Sequence, residues 1–302
     1  MGAAAAAAKE AGAMPGRYPT VRRRRLAGEL KRLRIAAGLT GEQVADRLGP
    51  LGRWSASKVS RIETGRVAVH HGDVADLLDL YGLRGGPLRD ELVEIARESG
   101  KRGWWQSYRD VLPGHITPIL DFEASTSAMR FAHNQLVPGL LQTPAYARAL
   151  IRSCNPEAGP EQVDRLVALR LDRQRLLQRD DPPRLWVILD EAALRRPVGG
   201  AGAMRAQLEK LAEHADSPHA AVQVIPFTAG EHTGLDMPFT ILSFPGDDEP
   251  DVVYLEQFTT ACYIEDEYDV KRYSGNFDRL RAAALGPGES RDLIVRATEE
   301  LR

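Results

Sequence analysis

The chain has 302 residues, with 40 Lys and Arg against 42 Asp and Glu, a formal net charge of −2 and two cysteines. That length leaves room for two domains, each able to bury a core, and near-neutrality means that any basic segment is balanced by an acidic one elsewhere. Cys154 and Cys262 form no CxxC, which excludes a metal knuckle and fits a reducing cytoplasm, and no apolar run approaches membrane-spanning length.

Residues 1–20 are rich in Ala, Gly and Pro and lack the basic start of a signal peptide, so a disordered tail is expected. In residues 26–66, Leu26, Leu30 and Leu33 recur at helical spacing and Gly38 supplies a helix end. Thr40 with Gln43 three residues on makes a capping box for a second helix, whose buried face is Val44, Ala45 and Leu48, and which stops at Gly49-Pro50. A third helix opens near Ser55 or Ser57, buries Val59 and Ile62, and closes at Gly65. Short polar and basic side chains on its other faces permit close approach to a duplex. Charge argues against a bundle used only for protein contacts: residues 22–66 hold twelve basic and four acidic side chains, a net +8, the sign that phosphate neutralisation needs.

On Leu39-Thr40, Ala45 and the run from Ser57 to Gly65, the chain resembles the repressor and Cro class of helix-turn-helix regulators, the XRE family. The resemblance implies that the third helix enters the major groove while the helix before it crosses the backbone. Carried over by position, Ala56, Ser57, Lys58 and Arg61 face bases, and Thr40, Ser60 and Arg66 face phosphates. Arg53 adds a phosphate contact from the connecting loop. Arg22, Arg23, Arg24 and Arg25 are read as a phosphate clamp or a minor-groove arm. Glu63 is expected to pair with Arg34 as a structural contact. Gly41 and the long connection through Arg53-Trp54 depart from the family pattern, so no operator sequence is implied.

Helices over residues 69–81 and 87–99 complete a five-helix, all-α domain of repressor/Cro type spanning 21–100. His70-His71, at the start of the fourth helix, are expected to be exposed. Residues 101–118, with Trp104, Trp105, Pro113 and Gly114, break the helical pattern and are read as a linker; the tryptophans are expected to pack it onto a domain rather than stack on bases. Residues 119–302 are read as a mixed α/β regulatory or partner-binding domain. The expected elements are a helix over 120–133, a turn at 137–144 leading into a helix capped by Thr143, and a long helix over 161–179. A strand at 185–189, a helix at 202–215 and a strand at 220–226 follow. Then come β pieces at 239–244, 252–255 and 261–264, a helix at 266–285 and a last helix capped by Ser290.

This half resembles the C-terminal domain found beside XRE-type modules in actinobacterial, WhiJ-like and antitoxin-like regulators. The resemblance rests on VPGLLQTPAYARAL at 137–150, RLDRQRLL at 170–177, LDEAALRRPVGG at 189–200, Gln207-Leu208, VQVIPF at 222–227, FTILSF at 239–244 and VVYLE at 252–256. It implies a small partner protein encoded nearby.

Residues 229–270 hold eleven acidic and no basic residues. They suit a basic partner, the chain's own basic module, or nothing beyond solubility. Gln142, Tyr146, Arg170 and Arg173 are candidates for a pocket or groove that takes a carboxylate or peptide terminus; the alternative is that the arginines pair with acidic neighbours. Glu231, His232 and Glu256 are further partner or ligand candidates. No HExxH, paired-ligand or nucleophile arrangement points to an enzyme, a metal or a cofactor. The loop at 199–202 lacks the third glycine of a dinucleotide fingerprint and is read as a turn.

These readings combine into a cytoplasmic, DNA-binding transcriptional regulator, a repressor and homodimer on double-stranded DNA, nucleoid-associated when bound. The alternatives are an antitoxin-like protein that neutralises a small partner and a small-molecule-sensing repressor.

Overall fold

A computed structural model describes residues 21–49, 54–65, 67, 69–99, 104–245 and 250–301, without the side chains of 21–24, 98 and 99. The expected tail at 1–20 lies outside the described residues. The chain divides into two compact units, residues 1–103 and 104–302.

Among the described residues the first unit holds five helices: α1 Val21–Ala36, α2 Gly41–Leu48, α3 Ala56–Glu63, α4 His71–Leu80 and α5 Pro87–Ser99. Gly38 turns the chain out of α1 at φ 69° and Gly65 does the same after α3 at φ 66°, a left-handed conformation that costs other L-residues energy. The expected capping box is present: Thr40 Oγ1 accepts from the Gln43 amide at 3.2 Å, and Gln43 Oε1 accepts from the Thr40 amide at 2.9 Å. Ser55 caps α3 by accepting from the Lys58 amide at 3.2 Å. Each helix sends an apolar face to one core containing Leu26, Leu30, Val44, Val59, Ile62, Val74, Leu77 and Leu92. Burying a Leu, Ile or Val side chain of this kind contributes about 1.5–3 kcal/mol. The all-α domain expected from the spacing is therefore the one observed.

The second unit is the expected mixed α/β fold. A 3-10 turn, Trp104–Tyr108, precedes α6 Thr117–Ser125, β1 Ala128–His133, α7 Pro144–Cys154, α8 Pro160–Gln174 with a 3-10 extension Arg175–Gln178, and β2 Arg184–Asp190. The short α9 Ala192–Arg195, then α10 Ala201–Ala215, β3 Ala220–Ile225, β4 Phe239–Ser243, β5 Val252–Glu256, β6 Ala261–Ile264, α11 Glu267–Ala283 and α12 Pro287–Glu299 complete it. The strands form one sheet in the order β3-β2-β1-β4-β5-β6. β1, β2 and β3 run parallel, and their crossovers contain helices α7 to α10; β4, β5 and β6 run antiparallel. One sheet face packs Ile188, Ile241 and Val253 against Val270, Phe277 and Leu280 of α11. On the other face, Phe122 of α6 meets Phe244 and Tyr263, with ring centroids 6.1 and 5.3 Å away.

Two expectations are corrected. Residues 120–133 are not one helix: α6 ends at Ser125, where the Thr126 hydroxyl donates to the Phe122 carbonyl, and residues 128–133 are a central strand. Ala128 and Met129 are good helix formers locally, but pairing with β2 on one side and β4 on the other decides the conformation. Ser290 is not a cap. Gly286 occupies that position, with Glu289 Oε2 accepting from its amide at 3.1 Å. Ser290 is fully buried one turn on, accepts from the Val224 amide at 2.9 Å and donates to the Leu285 carbonyl at 3.1 Å, tying α12 to β3. The 199–202 loop is a turn into α10, as expected. Both cysteines are free and exposed, and among the described residues no helix is long and apolar enough to cross a membrane.

Candidate nucleic-acid interface

α3 buries Val59 and Ile62, and this fixes what it can present. Ala56, Ser57, Ser60 and Arg61 are exposed. Their spacing of one, three and one places them on the side away from the core. Three of the four are short, so a backbone or base edge can approach the helix start, where amide groups and the helix dipole favour phosphate. The Arg61 guanidinium makes one long hydrogen bond, Nε to the Ser57 carbonyl at 3.4 Å, and has no carboxylate partner among the described residues. Thr40, at the start of α2, is exposed; its oxygen accepts within the capping box while its hydroxyl proton stays available to a phosphate.

Lys58 has partners inside the unit. Its ammonium lies 2.7 Å from Asp73 Oδ2 of α4 and 4.4 Å from the centre of the Trp54 ring. With Asp73 only 8% exposed, the pair braces the α3 start against α4. A base contact by Lys58 requires giving up this brace. Arg34 and Glu63 form the expected structural pair at 2.7 and 2.9 Å, and Arg34 Nη1 also donates to the Leu39 carbonyl at 2.6 Å. The Glu63 hydrogen bond raises the Arg34 pKa above its ordinary value. His70 is exposed, and its Nδ1 accepts from the Gly72 amide at 3.1 Å, a histidine cap that a search for Ser, Thr, Asp or Asn does not find.

The backbone of the arginine run is helical from Val21 onward. Arg25 lies 2.5 Å from Glu91 of α5. The side chains of Arg22, Arg23 and Arg24, and all of Arg53 and Arg66, lie outside the described residues.

In the second unit most of the expected partner residues prove internal. Tyr146 is completely buried, with its hydroxyl oxygen accepting from the Val137 amide at 3.3 Å. Gln142 is buried, donates to the Val137 carbonyl at 2.8 Å and accepts from Arg170 Nη1 at 2.7 Å. Arg173 holds Glu123 of α6 in two hydrogen bonds. The Pro138-Gly139-Leu140-Leu141 turn thus packs α8, and its arginines have internal partners. His232 is half-buried with its side chain turned inward, its Nε2 2.9 Å from Asp190 Oδ2 at the end of β2, which clamps the 230–234 loop onto the sheet rather than offering an acid/His pair outward. Asp190 gave no signal in sequence, because the contact spans 42 positions. Glu231 and Glu256 are exposed. Of the acidic run, Asp251 pairs with Arg130 at 2.7 Å, Asp266 caps α11, and Glu267 and Asp269 pair along that helix. Part of that charge is therefore structural. Of the two tryptophans expected to pack the linker, Trp105 is buried within the second unit and Trp104 is 40% exposed.

His133 closes β1 half-buried, and the partial loss of solvent pushes its imidazole from 6.5 down to about 4, with Glu256 opposing and Arg173 adding to the shift. The unfolded chain takes up the proton first, so this group contributes full stability above about pH 6.5 and loses it as pH falls towards 4. His133→Gln is expected to flatten that limb by about 2 kcal/mol at pH 4.5 relative to pH 7. Urea unfolding of both proteins at the two pH values checks it; parallel losses would show that His133 is not held neutral by the fold.

Two family models match the chain. Residues 25–92 match a helix-turn-helix domain, and residues 116–296 match a domain of unknown function (DUF5753). No curated protein and no solved structure matches.

Proposed function

This chain belongs to the family of the domain of unknown function (DUF5753), with a DNA-binding helix-turn-helix domain ahead of it, and from that premise we propose a sequence-specific transcriptional repressor of the XRE class. Its second unit receives the signal that sets DNA affinity. The observation that supports this best is the exposed face of α3, where Ala56, Ser57, Ser60 and Arg61 stand clear of the core and Arg61 lacks an acidic partner among the described residues. A homodimer on paired half-sites fits, because one small module buries little surface and two multiply affinity. Such a protein works in the cytoplasm, on the nucleoid.

The test is a salt titration of binding to the DNA upstream of the chain's own gene and to random DNA of equal length. The expected preference is about a hundredfold or more. Arg61→Ala should cost about 1–3 kcal/mol on the preferred site and relax the preference. Replacing Arg22, Arg23, Arg24 and Arg25 together by Gln should weaken both DNAs alike and flatten the salt slope. An unchanged preference in Arg61→Ala would remove α3 from the groove.

The resemblance to WhiJ-like, antitoxin-like regulators supports a second reading, in which a small basic partner docks on exposed acidic residues such as Glu231 and Glu256. Release of DNA on adding that partner would favour it.

A further inference from the structure

The second unit contains a cavity of about 350 Å³ between α6 and the end of α8. Small-molecule sites begin at roughly this size, about 300 Å³. Its apolar surface comes chiefly from the indole of Trp104, which is 40% exposed, with small contributions from Leu120 and Leu176, 2% and 5% exposed. Helical spacing brings the rest: Glu123 and Ala124 share a face of α6 with Leu120, and Asp172, Arg173 and Arg175 lie on α8 and its extension, with Arg179 directly after it.

The charges of this wall are unevenly matched. Glu123 is committed to Arg173. Asp172 accepts from the Tyr108 hydroxyl at 2.6 Å and lies 3.1 Å from Arg175. Arg179 gives Nη1 to the Ala124 carbonyl at 2.9 Å and has no carboxylate partner among the described residues. A guanidinium has five N–H donors, so most of its capacity remains open. A neutral apolar guest would cover that cation without answering it, a cation would be repelled, and a polyanion would exceed one unmatched charge.

We propose that this cavity binds a small organic anion with an apolar body, the ring or chain against Trp104, Leu120 and Leu176 and the anionic head on Arg179, with Arg175 beside it. As the signal of a repressor this ligand rests on the function proposed above; as a binding site it does not. Trp104 opens the second unit, directly after the DNA-binding unit in sequence.

The probe is 1-anilinonaphthalene-8-sulfonate on the full chain, with uncharged N-phenyl-1-naphthylamine as its twin and decanoate against decanol as competitors. One sulfonate per chain should bind and be displaced by decanoate but not by decanol. Arg179→Gln should weaken the sulfonate about tenfold and leave the uncharged twin unchanged. Trp104→Ala should weaken both. Both side chains are exposed, and unchanged thermal unfolding confirms that the variants fold. Absence of sulfonate binding, binding that neither substitution alters, or equal affinity for the uncharged twin would overturn the site. Operator binding that ignores decanoate while decanoate still occupies the cavity would overturn its role as the signal, and the site would stand.

Discussion

Glu123→Ala is expected to destabilise the second unit by about 3–5 kcal/mol, because it strands a buried guanidinium. The Glu123 side chain is 4% exposed and that of Arg173 18%, and the two hydrogen bonds between them measure 2.6 and 2.5 Å. Burial alone would lower the Arg173 pKa, and the Glu123 charge and hydrogen bonds carry it above its ordinary value, so removing Glu123 leaves the guanidinium with the cost of burial and without the partner that offsets it. Urea unfolding of the full chain measures the loss, and hydrogen exchange in α8 and β1 localises it. The cost comes from the unpaired charge and not from lost contact. The double variant Glu123→Leu with Arg173→Met should therefore return to within about 1–2 kcal/mol of the parent. A single-variant loss below about 1 kcal/mol would mean that solvent already reaches Arg173.

Glu63→Ala should cost the first unit about 3 kcal/mol by the same logic, and the consequence reaches the DNA-binding face. Arg34 joins three points: its own helix α1, Glu63 at the end of α3, and the Leu39 carbonyl just before the α2 cap. Without Glu63 it keeps only the Leu39 contact, and the angle between α2 and α3 loses its tie to α1. Affinity for preferred and random DNA should fall together at 37 °C and recover on cooling, because the damage lies in the population of the folded unit. Hydrogen exchange across α1 to α4 measures it. Loss of preference with protection intact would instead assign Glu63 a direct part in recognition.

Much of the first unit was legible because its signals are local. A capping box, a glycine in the left-handed region and apolar residues three and four apart lie within one or two helical turns, so Thr40, Gly38 and Val59 could be placed from their neighbours. The Arg34–Glu63 pair was reached through the resemblance, not through spacing. The Lys58–Asp73 contact was not legible, because it depends on where α4 crosses, which local pattern does not encode. In the second unit the strands β2 to β6 were readable from β-branched and aromatic runs between turns. β1 was missed because Ala128 and Met129 have helical propensity, and its strand pairing comes from residues 184–189 and 239–243.

By itself the sequence determined an all-α helix-turn-helix unit followed by a mixed α/β unit, and a basic segment of the sign DNA requires. These follow from periodicity, caps and charge counts, which are properties of short windows. Tertiary structure alone decided which polar groups are spent inside. It closed Gln142 on Arg170, Arg173 on Glu123, His232 on Asp190 and Ser290 on the Val224 backbone, and it left Arg179 and Arg61 without acidic partners among the described residues. A buried polar group must be satisfied by whatever the fold brings within about 3 Å, and those groups lie tens of residues away in the chain.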